Sequence, residues 1–116
     1  MLVYYAHCAA LYNSHQEKRD LETLALLGFE VLNPNAPEHQ AGYVKDGMMY
    51  FERLVTECGA LTFRALPDGR IPAGVFNEIN VAMGAALPVF ELPHNLLTRG
   101  MSVEATREYL NEVGYR

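Results

Sequence analysis

The stretch IPAGVFNEINVAMGAALPVFELP, Ile71–Pro93, reads as loop, helix and buried strand in immediate succession. From about Val75 to Ala85 small and apolar residues recur at helical spacing, and LPVFEL after them is a short, nearly continuous apolar run. A run that does not alternate suits a strand covered on both faces, the situation of a parallel sheet. A helix leading into such a strand through a short link is half of a right-handed crossover unit. Glu78 is the one carboxylate of the helical part, and the chain has to place it somewhere.

Working outward, the same alternation repeats. MLVYYA at 1–6 is aromatic and β-branched, the profile of a central strand. Ser14 stands three residues before Glu17, a capping-box spacing, and Leu21, Leu24, Ala25 and Leu27 follow at helical spacing up to Gly28. FEVLNP is a second strand ended by Asn33-Pro34, and NPNAPEHQAGY is polar, turn-rich and the least regular part. Val44 to Glu57 is helical, with Met48, Phe51, Leu54 and Val55 on one face; CGALTFRAL supplies a third strand and PDGR a turn. MSVEATREYLNEVG is a last helix, with Ser102 as N-cap and Gly114 closing it.

The order β-α-β-α-β-α-β-α with short connections predicts an α/β fold: a doubly wound, flavodoxin- or Rossmann-like three-layer sandwich with a four- or five-stranded parallel sheet. At 116 residues it is expected to be a single domain, 1–116. Ligands of such sheets bind outside the carboxyl ends of the strands, which directs attention to the residues after Tyr5, after Asn33, after Phe63 and around Gly74.

Composition narrows the function. Nine Lys and Arg against 14 Asp and Glu give a net charge of −5, which argues against a nucleic-acid partner. No segment reaches the ~18 uninterrupted apolar residues of a membrane span, and no membrane partner is expected. Two cysteines, Cys8 and Cys58, without CxxC spacing suit a reducing, cytoplasmic setting and predict neither metal site nor disulfide. GxGxxG, the Walker pattern and GxSxG are absent, against a dinucleotide dehydrogenase, a P-loop enzyme and a serine hydrolase.

Each candidate residue has a plain alternative. Glu78, expected in the first turn of its helix, could complement the helix dipole or serve as a nucleophile. Tyr4 and Tyr5 point to opposite faces of their strand, one toward the site and one into the core. His7 follows in the loop; a lone histidine there is more often structural than catalytic. Asn13 and Ser14 mark a helix start able to hold an anion, and Asn33 and Gly74 lie at strand ends. Asp46 begins the second helix, as a dipole charge or as an acid reaching the site. No basic residue lies in the first loop, so Arg19, Arg64, Arg70 and Arg99 are the remaining candidates for a phosphate.

Taken together, VYYAH, GFEVLNP, FERLVTECGALTF and AGVFNEINVAMGAALPVFEL resemble the nucleoside 2-deoxyribosyltransferase family and its nucleotide N-glycosidase relatives. The last segment is the most specific: a glycine, a few variable residues, a glutamate, a small-residue helix and then Pro-Val. The resemblance implies that Glu78 attacks the anomeric carbon, that Tyr4 orients it, and that a nucleoside or nucleoside 5′-monophosphate is cleaved or transferred without a cofactor. It also implies a homodimer or higher homo-oligomer. The chain departs from the family at His7-Cys8-Ala9-Ala10, where a Gly-Pro or Gly-Ser loop is usual, and at Gly59, where an aspartate is usual. The general acid is therefore unassigned, with Asp46 as the candidate. The alternative on the same fold is a nucleotide-binding or sensing module without chemistry.

Overall fold

The computed structural model describes residues 1–93 and 100–115, and its strands alternate with helices, two of them between the second and third strands. In chain order they are β1 (Leu2–Ala6), a 3-10 turn (Ala9–Leu11), α1 (His15–Leu26), β2 (Glu30–Leu32), α2 (Pro37–Asp46), α3 (Met48–Thr56), β3 (Ala60–Phe63), α4 (Ala73–Gly84), β4 (Val89–Glu91) and α5 (Val103–Glu112). The four strands form one parallel sheet in the order β2-β1-β3-β4. This is the flavodoxin-like doubly wound arrangement, whose order reverses between β1 and β3.

β1 is central because its residues tolerate burial on both sides. Val3, Tyr4, Tyr5 and Ala6 are all inaccessible to solvent. On one face Tyr4 and Ala6 pack with Val55 of α3 and Val75, Ile79 and Ala82 of α4. On the other Tyr5 packs with Leu24 of α1 and Leu92, flanked by Phe29, Val31 and Phe90. Each of the Val, Leu, Ile and Phe side chains contributes roughly 1.5–3 kcal/mol when fully removed from water. Leu27, at helical spacing with Leu24, and Met83, one residue after the buried Ala82, are both exposed.

Three local features differ from expectation. The polar piece after β2 forms a helix, α2, with Pro37 in its first turn, where the missing N–H is harmless. The helix expected from Val44 is broken at Gly47, whose φ of 64° and ψ of −147° only glycine adopts readily. Asp46 therefore ends α2 instead of beginning a helix. α4 starts at Ala73, so Glu78 lies in its second turn, beyond the first-turn dipole position.

The remaining signals are met in the structure. Ser14 Oγ accepts from the Glu17 N–H, Ser102 Oγ accepts from the Ala105 N–H, and Gly28 and Gly114 take positive φ at helix ends. No helix among the described residues is long and apolar enough to cross a membrane.

Candidate active site

A cavity of about 310 Å³ opens at the carboxyl ends of β1 and β2. The β1–α1 loop supplies His7, Cys8 and Tyr12, and Pro34 follows β2. α2 and α3 add Gln40, Tyr43, Met48 and Phe51, and α4 adds Gly74, Val75 and Glu78. The Tyr43 and Phe51 rings lie 5.6 Å apart and are tilted by 32°, giving this wall an aromatic character. Asn77 Nδ2 donates to Glu52 Oε1 at 3.0 Å, fastening α4 to α3 beneath it.

Glu78 is 6% exposed and is the only carboxylate lining this cavity among the described residues. The Tyr4 hydroxyl donates to its Oε2 across 74 residues of sequence. Burial pushes the Glu78 carboxyl up to about 7, and the Tyr4 hydrogen bond opposes that rise. Burial and the neighbouring Glu78 charge hold the Tyr4 phenol far above its ordinary value, so it stays a donor. Among the described residues no cation pairs with Glu78. The result is a carboxyl poised near neutrality and positioned by one phenol, with access to a cavity. Such a group can act as nucleophile or base.

Tyr12 faces the same space, and its phenol is pushed up to about 12 by burial and then by the Glu78 charge. Its ring lies 4.9 Å from His7, which stacks on Tyr5 at 3.8 Å. His7 Nδ1 donates to the Tyr5 carbonyl at 3.0 Å, and Nε2 meets Glu17 Oε2 at 2.7 Å.

Of the residues singled out in the sequence, Glu78, His7 and Gly74 line the cavity, and Tyr4 reaches it through Glu78. Gly74 is a helical position where an added Cβ would meet only Met48 Cε at 3.8 Å, so it leaves space without being strained. Ser14 is occupied as the α1 cap, Asn13 bonds Glu17 through its N–H, and Asn33 Oδ1 accepts from the Asn35 N–H in a tight turn. None of these three lines the cavity. Asp46 does not begin a helix as expected: it ends α2 before the break at Gly47, pairs with Arg53 at 2.7 Å on the surface, and does not line the cavity. The acid role proposed for it has no geometric support.

Of the candidate phosphate cations, none of the described ones lines the cavity. Arg64 binds Asp20, Arg70 binds Asp68, and Arg99 lies outside the described residues. Arg19 borders a larger cleft of about 640 Å³ on the α1 side of the sheet, beside the neutralised Asp20–Arg64 pair. Among the described residues no three His, Cys, Asp or Glu side chains gather as a metal site would need.

Tyr12 and Gln40 are not legible in the sequence as site residues, whereas the aromatic-rich run from Tyr43 to Phe51 reads as a surface for a base or a partner subunit. Pro37 followed by Glu38 is a readable start for α2, hidden by the surrounding Asn, Pro and Gly. No family model, no curated protein and no solved structure matches the chain. The site therefore has to be read from its own geometry.

Proposed function

We propose that the chain cleaves or transfers the N-glycosidic bond of a nucleoside or nucleoside 5′-monophosphate, with Glu78 as nucleophile. The observation that carries this is the buried Glu78 carboxyl, lining the cavity and held by Tyr4 with no cation paired to it among the described residues. A Glu78 oxygen attacks the anomeric carbon while the bond to the base nitrogen breaks, and the electron pair leaves with the base, which takes a proton from water. Water or a second base then displaces the carboxylate from the sugar. Tyr43 and Phe51 line the cavity, and either ring offers an aromatic surface to a nucleobase. The resemblance of this segment to nucleoside 2-deoxyribosyltransferases supports the same assignment.

This reading carries with it a homodimer or larger assembly in the cytoplasm. Tyr43, Val44 and Met49 are exposed beside the cavity and suit a subunit contact. The test is incubation with a panel of nucleosides and their 5′-monophosphates, with free base detected by chromatography. Release by the wild type and none by Glu78→Gln is the expected result; no release from any member overturns it.

One observation favours a second reading. Glycosidic chemistry commonly uses two carboxyl groups, and here Glu78 lines the cavity alone among the described residues. A nucleotide-binding or sensing module would need no second acid. Binding of adenosine or AMP without any base release would select that reading.

A further inference from the structure

Glu17 sits where a capping-box glutamate would, three residues after the Ser14 cap. A capping glutamate returns to the N–H of its own cap residue, but the Ser14 N–H donates to the Leu11 carbonyl instead. The Glu17 carboxylate is turned away from its helix and is 6% exposed. Its Oε1 accepts from the Asn13 N–H at 3.1 Å, and its Oε2 meets His7 Nε2 at 2.7 Å. Asn35 Nδ2 lies 3.1 Å from both oxygens and 3.1 Å from Asn13 Oδ1. One carboxylate thus ties both ends of the β1–α1 loop, at His7 and Asn13, to the β2–α2 loop at Asn35.

Those two loops form one side of the cavity, through Cys8, Tyr12 and Pro34. Asn13 is held at a φ of 62°, a left-handed conformation that a free loop would leave readily. Burial works against the Glu17 charge, but the bonds from His7, Asn13 and Asn35 together hold its carboxyl below the usual range. The Glu17 carboxylate is thus the charged acceptor at the centre of this cluster, and hydrogen bonds to it are charge-assisted.

We propose that Glu17 is a positioning residue for the Glu78 cavity, locking the β1–α1 and β2–α2 loops into one rigid rim. Its role in turnover rests on the N-glycosidic reading of that cavity. Tyr4 and Glu78 are held independently, by β1 and α4, so loss of the lock moves the binding wall and leaves the nucleophile in place. The effect then falls on KM and spares kcat.

The test compares wild type with Glu17→Gln, Asn35→Ala and, as a control on the exposed side of α1, Glu22→Gln. Amide hydrogen exchange of residues 8–13 is followed by NMR, and kcat and KM are measured on the nucleoside the wild type cleaves fastest. Glu17→Gln is expected to speed exchange at Asn13 and to raise KM about tenfold with kcat within about twofold, since small misplacements at a binding wall have effects of that size or more. Asn35→Ala moves both in the same direction by less, and Glu22→Gln moves neither. If Glu17→Gln does not fold, Asn35→Ala alone decides. Unchanged exchange in both variants, or faster exchange with unchanged KM, overturns the proposal. If the wild type releases no base, the glycosidic reading fails by itself. The exchange comparison then still decides whether the two loops are locked by Glu17.

Discussion

Tyr4 and Tyr5 are adjacent on one strand, equally inaccessible, and each donates to a buried carboxylate. Behind Tyr5, Asp20 also accepts two bonds from Arg64, at 2.6 and 3.0 Å, and one from Gln16. Arg64 in turn donates to the Pro93 carbonyl, so the charges and donors on that side are matched. Behind Tyr4, Glu78 has the phenol as its one side-chain partner among the described residues, and an open cavity. The difference separates two uses of a buried acid: one fastens α1 to β3, and the other is left unbalanced where a ligand can reach it. Unbalanced burial is what raises the Glu78 carboxyl to about 7.

The strongest way to break this comparison is to remove each acid. Glu78→Gln should cut base release by at least ~10³-fold, read by single-turnover chromatography, because the attacking group is gone. The same variant should fold at least as well at neutral pH. Asp20→Ala should instead cost about 3–5 kcal/mol in denaturant unfolding, since it strands the Arg64 charge in a buried position. Equal stability losses at both positions would erase the distinction.

A second test uses pH. The folded carboxyl of Glu78 is raised from 4.5 to about 7, so the folded state holds a proton that the unfolded state releases between those values. Its contribution to stability is complete below about pH 4.5 and is lost as pH rises toward 7, on the order of 3 kcal/mol in all. Unfolding curves at pH 4.5–8 should show this slope in wild type and a flatter one in Glu78→Gln. Activity should run the other way, rising with pH to a plateau above about 7 as the nucleophile ionises.

Smaller effects sharpen the picture. Tyr4→Phe removes the bond that lowers the Glu78 carboxyl, so the rising limb of the pH–rate profile should move to higher pH, with kcat down roughly 10–100-fold. Tyr5→Phe leaves Arg64 on Asp20 and should cost only about 0.5–1.5 kcal/mol without moving that limb. A shift of the limb by Tyr5→Phe would show that the two faces are coupled.

How much of this is legible in the chain depends on how local each cause is. Strand runs, the Ser14 and Ser102 caps and the Gly28 stop are written in neighbouring residues, and they lead to the parallel α/β sheet. Glu78 stands out because a lone acid in an apolar helix must be solvated, paired or put to use. The start of α4 is harder to see, since Pro72, Ala73 and Gly74 read as loop although proline suits the edge of a helix. Asp46 falls at the wrong end of a helix because the break at Gly47 rests on a backbone conformation that leaves little trace in composition. The spacing of Glu17 marks it as a cap, and its actual partners lie across the fold at His7 and Asn35. Long-range pairing of this kind carries no periodic signal.

The outer strands of the described sheet, β2 and β4, are three residues each. A rim that short offers an incoming chain too few free N–H and C=O groups to template an added ladder, while the longer and more apolar β1 is sealed between β2 and β3. An apolar, aromatic strand without Pro or Gly is the kind of segment prone to amyloid-like stacking, and here both of its edges are already paired.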